Sequence, residues 1–278
     1  MNLDWFESIL YGLLAGLADI LPVSAQAHKT LILKLFGVRE SPVLLELMIH
    51  IALIAALYSG CRSTIVRMNR ARRLAMIPKK KRKRPLDVRS MMDMSMLRTM
   101  MIPALLGLFL YRKAEPMRGN LMLLVLFLTV NGLILYIPQF LPSGNRDSRT
   151  LSRLEGLLMG LGSTVSVVPG ISAVGTMTSI GSVCGVEHTY CLDLALMTNM
   201  LLNAGYAVFD VLKILDGGVG TLSAVILLRY LLGALVAFGG GWLGIRIMRR
   251  LAGNQGYAGF GFYCFGLAMF IFILNLIA

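Results

Sequence analysis

The chain has 278 residues, 56% of them hydrophobic and only 15% charged, with a mean hydropathy of +0.73. A water-soluble domain carries about 25% charged residues, so the composition excludes an ordinary soluble enzyme and makes lipid the solvent. Net charge is +13, and 13 of the 27 Lys and Arg fall between residues 62 and 98; in a membrane chain such a cluster sets orientation and attracts anionic headgroups, not nucleic acid.

The start, Met1-Asn2-Leu3-Asp4, has no basic n-region, so no cleaved signal peptide is expected. Residues 6–37 are apolar but broken by Pro22, Ser24, Gln26 and His28. Each half is shorter than the roughly 20 residues a spanning helix needs. The region is therefore expected as a re-entrant helical hairpin, tolerated at depth only against protein or a watery cavity. Spans are expected at 43–60, 97–112 and 119–141. A basic cytoplasmic loop, 62–96, separates the first two, and its run at 79–84 is expected to meet anionic lipid headgroups.

A second broken apolar region covers 154–188, interrupted by Ser163, Ser166, Pro169, Gly170, Ser172 and Gly175. It predicts a second re-entrant hairpin, followed by spans at 190–212, 221–245 and 255–277. Cys61, Cys184, Cys191 and Cys264 form no CxxC pair and suggest no metal or disulfide framework.

Charge then orders the sides. With 62–98 in the cytoplasm, Arg146, Arg149 and Arg153 and later Arg246, Arg249 and Arg250 land on that same side, as the positive-inside rule requires. The first hairpin must enter from outside and the second from inside. An internal repeat matches this opposition. Gly12-Leu13-Leu14-Ala15-Gly16-Leu17 recurs as Gly156-Leu157-Leu158-Met159-Gly160-Leu161, Ser24 corresponds to Ser172, and Leu45-Glu46-Leu47 to Leu192-Asp193-Leu194. The fold class expected is an all-α integral membrane protein. It is a single membrane domain, 1–278, with inverted-topology repeats 1–141 and 142–278, two re-entrant hairpins and six transmembrane helices. Sites in such folds lie near the midplane, between the repeats.

Ionisable groups inside the apolar regions are the first site candidates, because lipid makes them costly. The first hairpin offers Asp19, Ser24, Gln26, His28 and Lys29; the second offers Ser163, Thr164, Ser166, Ser172, Thr176 and Thr178; Glu46, His50, Asp193 and Asn199 lie in adjoining spans. Half-helix N-termini near His28 and Ser172 would favour a phosphate, and Gly170 and Gly175 would let backbone approach it. Capping of the helix break is the competing role for the serines. Pairing at the interface is the competing role for Glu46 and Asp193.

These motifs resemble the undecaprenyl-diphosphate phosphatase family, also called the bacitracin-resistance phosphatases. The family's first signature is Glu-x3-Glu-Phe-Leu-Pro-(Ile/Val)-Ser-Ser-Thr-Gly-His, and the corresponding residues run from Ala15 through Asp19, Pro22, Ser24 and Ala25 to His28. The second is Pro-Gly-x-Ser-Arg-Ser-Gly, and here it reads Pro169-Gly170-Ile171-Ser172-Ala173-Val174-Gly175. The likeness covers nearly the whole chain. It implies a polyprenyl phosphate or diphosphate lipid as partner, a multi-pass protein of a bacterial plasma membrane, and a place in cell-envelope (peptidoglycan) lipid-carrier metabolism. It also implies His28 and Asp19 as catalytic residues, with Asp19 holding a divalent cation, Mg or Ca. Ser24, Gln26, Ser172, Gly170, Gly175, Glu46 and Asp193 would bind substrate. A homodimer stays open.

The departures fall on charge. One carboxylate of the implied pair is Ala15, the second serine of the first motif is Ala25, and the implied arginine is Ala173. Preorganised positive groups supply much of phosphoryl-transfer catalysis, and alanine cannot replace a bidentate arginine. The expectation is an undecaprenyl-diphosphatase-like protein with weak or lost phosphatase activity; the alternative is a non-catalytic lipid-phosphate binder or translocator.

Overall fold

The computed structural model describes residues 3–38, 40–217, 223–252 and 257–277; the first residues of two expected spans, 221–222 and 255–256, lie outside that set. Among the described residues, ten α-helices follow in order. They are α1 (Trp5–Ile20), α2 (Ala25–Leu35), α3 (Val43–Met76), α4 (Val88–Ala114), α5 (Leu121–Tyr136), α6 (Arg153–Val165), α7 (Ala173–Val183), α8 (His188–Leu215), α9 (Ala224–Ala252) and α10 (Ala258–Ile277). Six of them, α3, α4, α5, α8, α9 and α10, are long and apolar enough to cross a membrane. Their outer faces expose large apolar side chains, among them Phe109, Leu133, Leu228 and Phe262. Water would penalise such a belt; lipid does not. The chain is an all-α, multi-pass membrane protein.

The remaining four helices form two helix–break–helix units. At 16 and 11 residues, α1 and α2 rise about 24 and 16 Å, short of a core about 30 Å thick. The first break is local chemistry. Pro22 has no N–H to continue α1, and Ser24 turns the chain at φ 65 and caps α2 through the N–H of Ala27. The second break uses Gly170 at φ 108, and Ser172 caps α7 by accepting from the N–H of Gly175.

Packing pairs the two halves crosswise. α1 lies along α9 and α6 along α4, while α3 pairs with α8 and α5 with α10. The repeated glycines sit at these crossings. A Cβ on Gly12 would lie 2.1 Å from the Gly233 carbonyl oxygen, and one on Gly160 would lie 2.4 Å from that of Met100. Small residues of this kind are what let membrane helices approach closely.

The segment expected as a basic loop, 62–96, is mostly helix. α3 continues to Met76 and α4 begins at Val88, so only 77–87 is non-helical apart from one short 3-10 turn, Lys79–Lys81. The Arg, Met, Ala and Leu residues after Arg62 are good helix formers, and Pro78 and Pro85 bound the break. Asp87 then accepts from the N–H of Ser90 at 3.0 Å, capping the first turn of α4.

Candidate functional site

The two breaks meet. Ser24 Oγ, at the first tip, accepts from the N–H of Gly170 at the second, 3.1 Å away. Asn131 of α5 bonds both tips: its Nδ2 donates to the Pro22 carbonyl at 3.0 Å and its Oδ1 accepts from the N–H of Ser172 at 2.9 Å. Asn131 is fully buried. An amide that both donates and accepts can satisfy two broken backbones at once, and buried backbone groups need such partners.

Beside the joined tips lies a narrow, partly open cleft with about 50 Å³ of water-accessible space. Ala25, Gln26, Ser166, Ser172 and Ala173, at or near the tips, line it together with Asp19, Lys29, His50, Tyr111, Asn199 and Tyr206. Asp19 Oδ2 accepts from Asn199 Nδ2 at 2.8 Å and from Asn203 Nδ2 at 3.0 Å. Lys29 donates to Glu46, which also accepts from the Tyr11 hydroxyl. His50 Nδ1 lies 2.6 Å from Asp210 Oδ2. Tyr111 and Tyr206 stack with centroids 4.4 Å apart.

The expected site residues divide. Asp19, Gln26 and Ser172 line the cleft, and Glu46 stands behind it on Lys29. His28 does not line it. Its Nδ1 lies 2.8 Å from the Ser24 carbonyl and its Nε2 2.7 Å from the Tyr263 hydroxyl of α10, against which the ring stacks. His28 follows Ala25 by three positions, but Gln26 and Lys29 line the cleft while His28 packs on Tyr263 of α10. Ser24 spends its hydroxyl clasping the tips. Gly170 and Gly175 are explained by packing: a Cβ on Gly170 would lie 2.8 Å from Phe127 Cβ, and one on Gly175 would lie 2.7 Å from Pro22 Cβ. Asp193 sits elsewhere, accepting from Thr64 at 3.2 Å and Arg249 at 3.0 Å.

Sequence reasoning missed Asn131, Asn203, Asp210, Tyr111 and Tyr206. Each asparagine and Asp210 is a polar residue within an otherwise apolar span, the signal already used for Asp19. The tyrosines give none, because an aromatic in a span is ordinary.

The profile of the bacitracin resistance protein BacA family matches residues 8–270. The chain belongs to the BacA family. It is similar to the undecaprenyl-diphosphatase of Methanobrevibacter smithii, with 27% identity over 98% of both chains. It is also similar to undecaprenyl-diphosphatase 1 of Shouchella clausii (24%, covering 97% of this chain and 96% of that one) and to the undecaprenyl-diphosphatase of Thermosipho africanus (26%, covering 96% and 99%). It is a divergent BacA member and a multi-pass plasma-membrane protein.

Two of its departures from the family motifs fall at the cleft. Ala25 and Ala173 line the cleft where the motif implies a serine and an arginine. The cation expected on Asp19 does not fit the residues present. Asp19 faces two amide N–H donors, its motif partner is Ala15, and among the described residues no three His, Cys, Asp or Glu are grouped to hold a metal. Hard cations need about six oxygen ligands.

Proposed function

We propose that this BacA-family protein binds the phosphate-bearing headgroup of a polyprenyl lipid in the cleft between its two hairpin tips, with diphosphatase activity weak or lost. The reading takes its lipid class from the undecaprenyl-diphosphatases the chain resembles. One observation carries the loss of activity: Ala25 and Ala173 face the cleft, while His28 is turned away from it. Losing one electrostatic donor of this kind costs about 10²–10³ in rate. The anion affinity that remains comes from the N-termini of α2 and α7, whose first residues line the same cleft. Each contributes roughly half a positive charge.

In this reading the helix–break–helix units are re-entrant, arriving from opposite leaflets, and 1–141 and 142–278 are inverted repeats. The crosswise pairs, α1 with α9 and α6 with α4, support it, because exchanging the halves maps one pair on the other. That symmetry favours translocation of the bound lipid as a second reading, since rocking one repeat against the other exposes a midplane site to either side.

The test is phosphate release from undecaprenyl diphosphate, run beside the Methanobrevibacter smithii protein. We expect this chain to be slower by about 10² or more while binding the same lipid. Matching turnover would refute the lost-activity reading. Failure to bind any polyprenyl phosphate would refute the whole assignment.

A further inference from the structure

The cleft has a shortage of usable positive charge. Among the described residues, Lys29 is the only Lys or Arg lining it, and it is already held by Glu46. Asp19 faces the same space, and His50 is held by Asp210. Beyond the two helix N-termini, a headgroup phosphate therefore needs a cationic donor that the lining side chains do not leave free.

That donor stands one ring away. Arg118 lies in the 3-10 turn Glu115–Gly119 between α4 and α5, a turn that packs on α2. Its guanidinium carbon sits 4.0 Å from the centroid of Tyr111, a cleft-lining ring. Its Nε and Nη2 are buried and have no hydrogen-bond partner among the described residues. Burying donor groups of a permanent cation without acceptors is costly, and native proteins satisfy nearly all of them. The cation–π contact offsets about 0.5–2 kcal/mol, but it uses the face of the guanidinium and leaves the in-plane N–H groups unspent. A planar fork of free donors is what a phosphate recognises.

We infer that Arg118 is the anion clamp of this cleft, gripping a phosphate oxygen of the lipid headgroup and standing in for the arginine absent at Ala173. The inference rests on the lipid-phosphate reading above and adds the residue that holds the charge. Tyr111 positions it: stacked on Tyr206 at 4.4 Å, the ring fixes the plane of the guanidinium beside the cleft.

The experiment uses the purified full-length protein in detergent, with farnesyl phosphate and farnesyl diphosphate as probes. Affinity and melting temperature are measured for the wild type, Arg118→Gln, Arg118→Lys and the exposed-turn control Lys80→Gln. Arg118→Gln is expected to weaken binding by about 10- to 100-fold, Arg118→Lys by less, because it keeps charge but loses the fork, and Lys80→Gln not at all. Without probe, Arg118→Gln should melt no lower than the wild type, because it removes unpaired buried donors. A residue with a merely structural role gives the reverse: a lower melting temperature and unchanged affinity. That result, or wild-type affinity in Arg118→Gln, overturns the inference and leaves the lipid-phosphate reading intact. If the wild type binds neither probe, both fall together.

Discussion

Lys29 and Glu46 form a buried ion pair, with side chains 10% and 12% exposed, and Tyr11 adds a hydrogen bond to the carboxylate. Breaking such a pair strands a charge and costs about 3–5 kcal/mol, whereas removing both charges can be nearly neutral. We predict that Lys29→Met and Glu46→Gln each lower stability by that amount, and that the double variant recovers at least about 2 kcal/mol of the summed cost. A denaturation cycle in detergent reads this; strictly additive losses would mean the two residues are not coupled. Ser24 offers a second check, because it combines a clasp with a strained backbone. Alanine there loses the bonds to Gly170 and Ala27 but keeps φ 65, and should cost about 1–3 kcal/mol. Glycine loses the same bonds but adopts that φ freely, so Ser24→Gly should be milder than Ser24→Ala by about 1 kcal/mol. The reverse order would show that backbone strain plays no part.

At the scale of elements, the second helix–break–helix unit is tied together at its base by Arg146. Its guanidinium meets Glu155 of α6 at 2.5 and 3.0 Å and the Cys184 carbonyl beyond α7 at 2.8 Å, and its backbone pairs with Gly185 and Glu187. Arg146 and the Ser152 cap together hold the Glu155 carboxyl down to about 2. A depressed carboxylate stabilises the fold above its unfolded pKa of about 4.3, and that contribution is lost as pH falls toward 2. Glu155→Gln should therefore remove part of the loss of stability between those limits and leave its pH dependence above 5 unchanged. A melting-temperature series from pH 2 to 7 would show it, and identical profiles would argue that the pair is fully screened. The elements themselves were legible, because run length and the Pro, Ser and Gly breaks report directly on whether a helix can span. Two features were not. The 62–96 stretch read as loop because charge masks helix propensity, and the side of α2 that His28 faces depends on where α10 packs, which no local pattern encodes. For the same reason Asp19 was visible as a costly carboxylate, but its partners Asn199 and Asn203, two turns of α8 that only tertiary packing brings to α1, were not paired with it.

For the whole molecule, the decisive quantity is which ends of the helices share a side. The tips contact each other through Ser24 and Gly170. In the proposed re-entrant reading, two hairpins joined at their tips have their open ends at opposite faces of the bilayer. In that reading the positive-inside rule would put the 77–87 turn and the Arg146 loop in the cytoplasm, and the α2 and α8 C-termini outside. Cys61, Cys191 and Cys264 are buried, so a Cys184→Ser background is nearly silent to a membrane-impermeant thiol reagent. Single cysteines at the exposed positions Lys34, Lys80, Asn145 and Asp216 then report sidedness. In intact cells we expect Lys34→Cys and Asp216→Cys to label, and Lys80→Cys and Asn145→Cys to label only after permeabilisation. The 34–145 comparison carries the most weight, because those positions sit at the open ends of the two hairpins. If both react from the same face, the units cannot arrive from opposite leaflets. The crosswise packing of α1 on α9 and α6 on α4 would then be a coincidence of small residues, not a consequence of inverted halves.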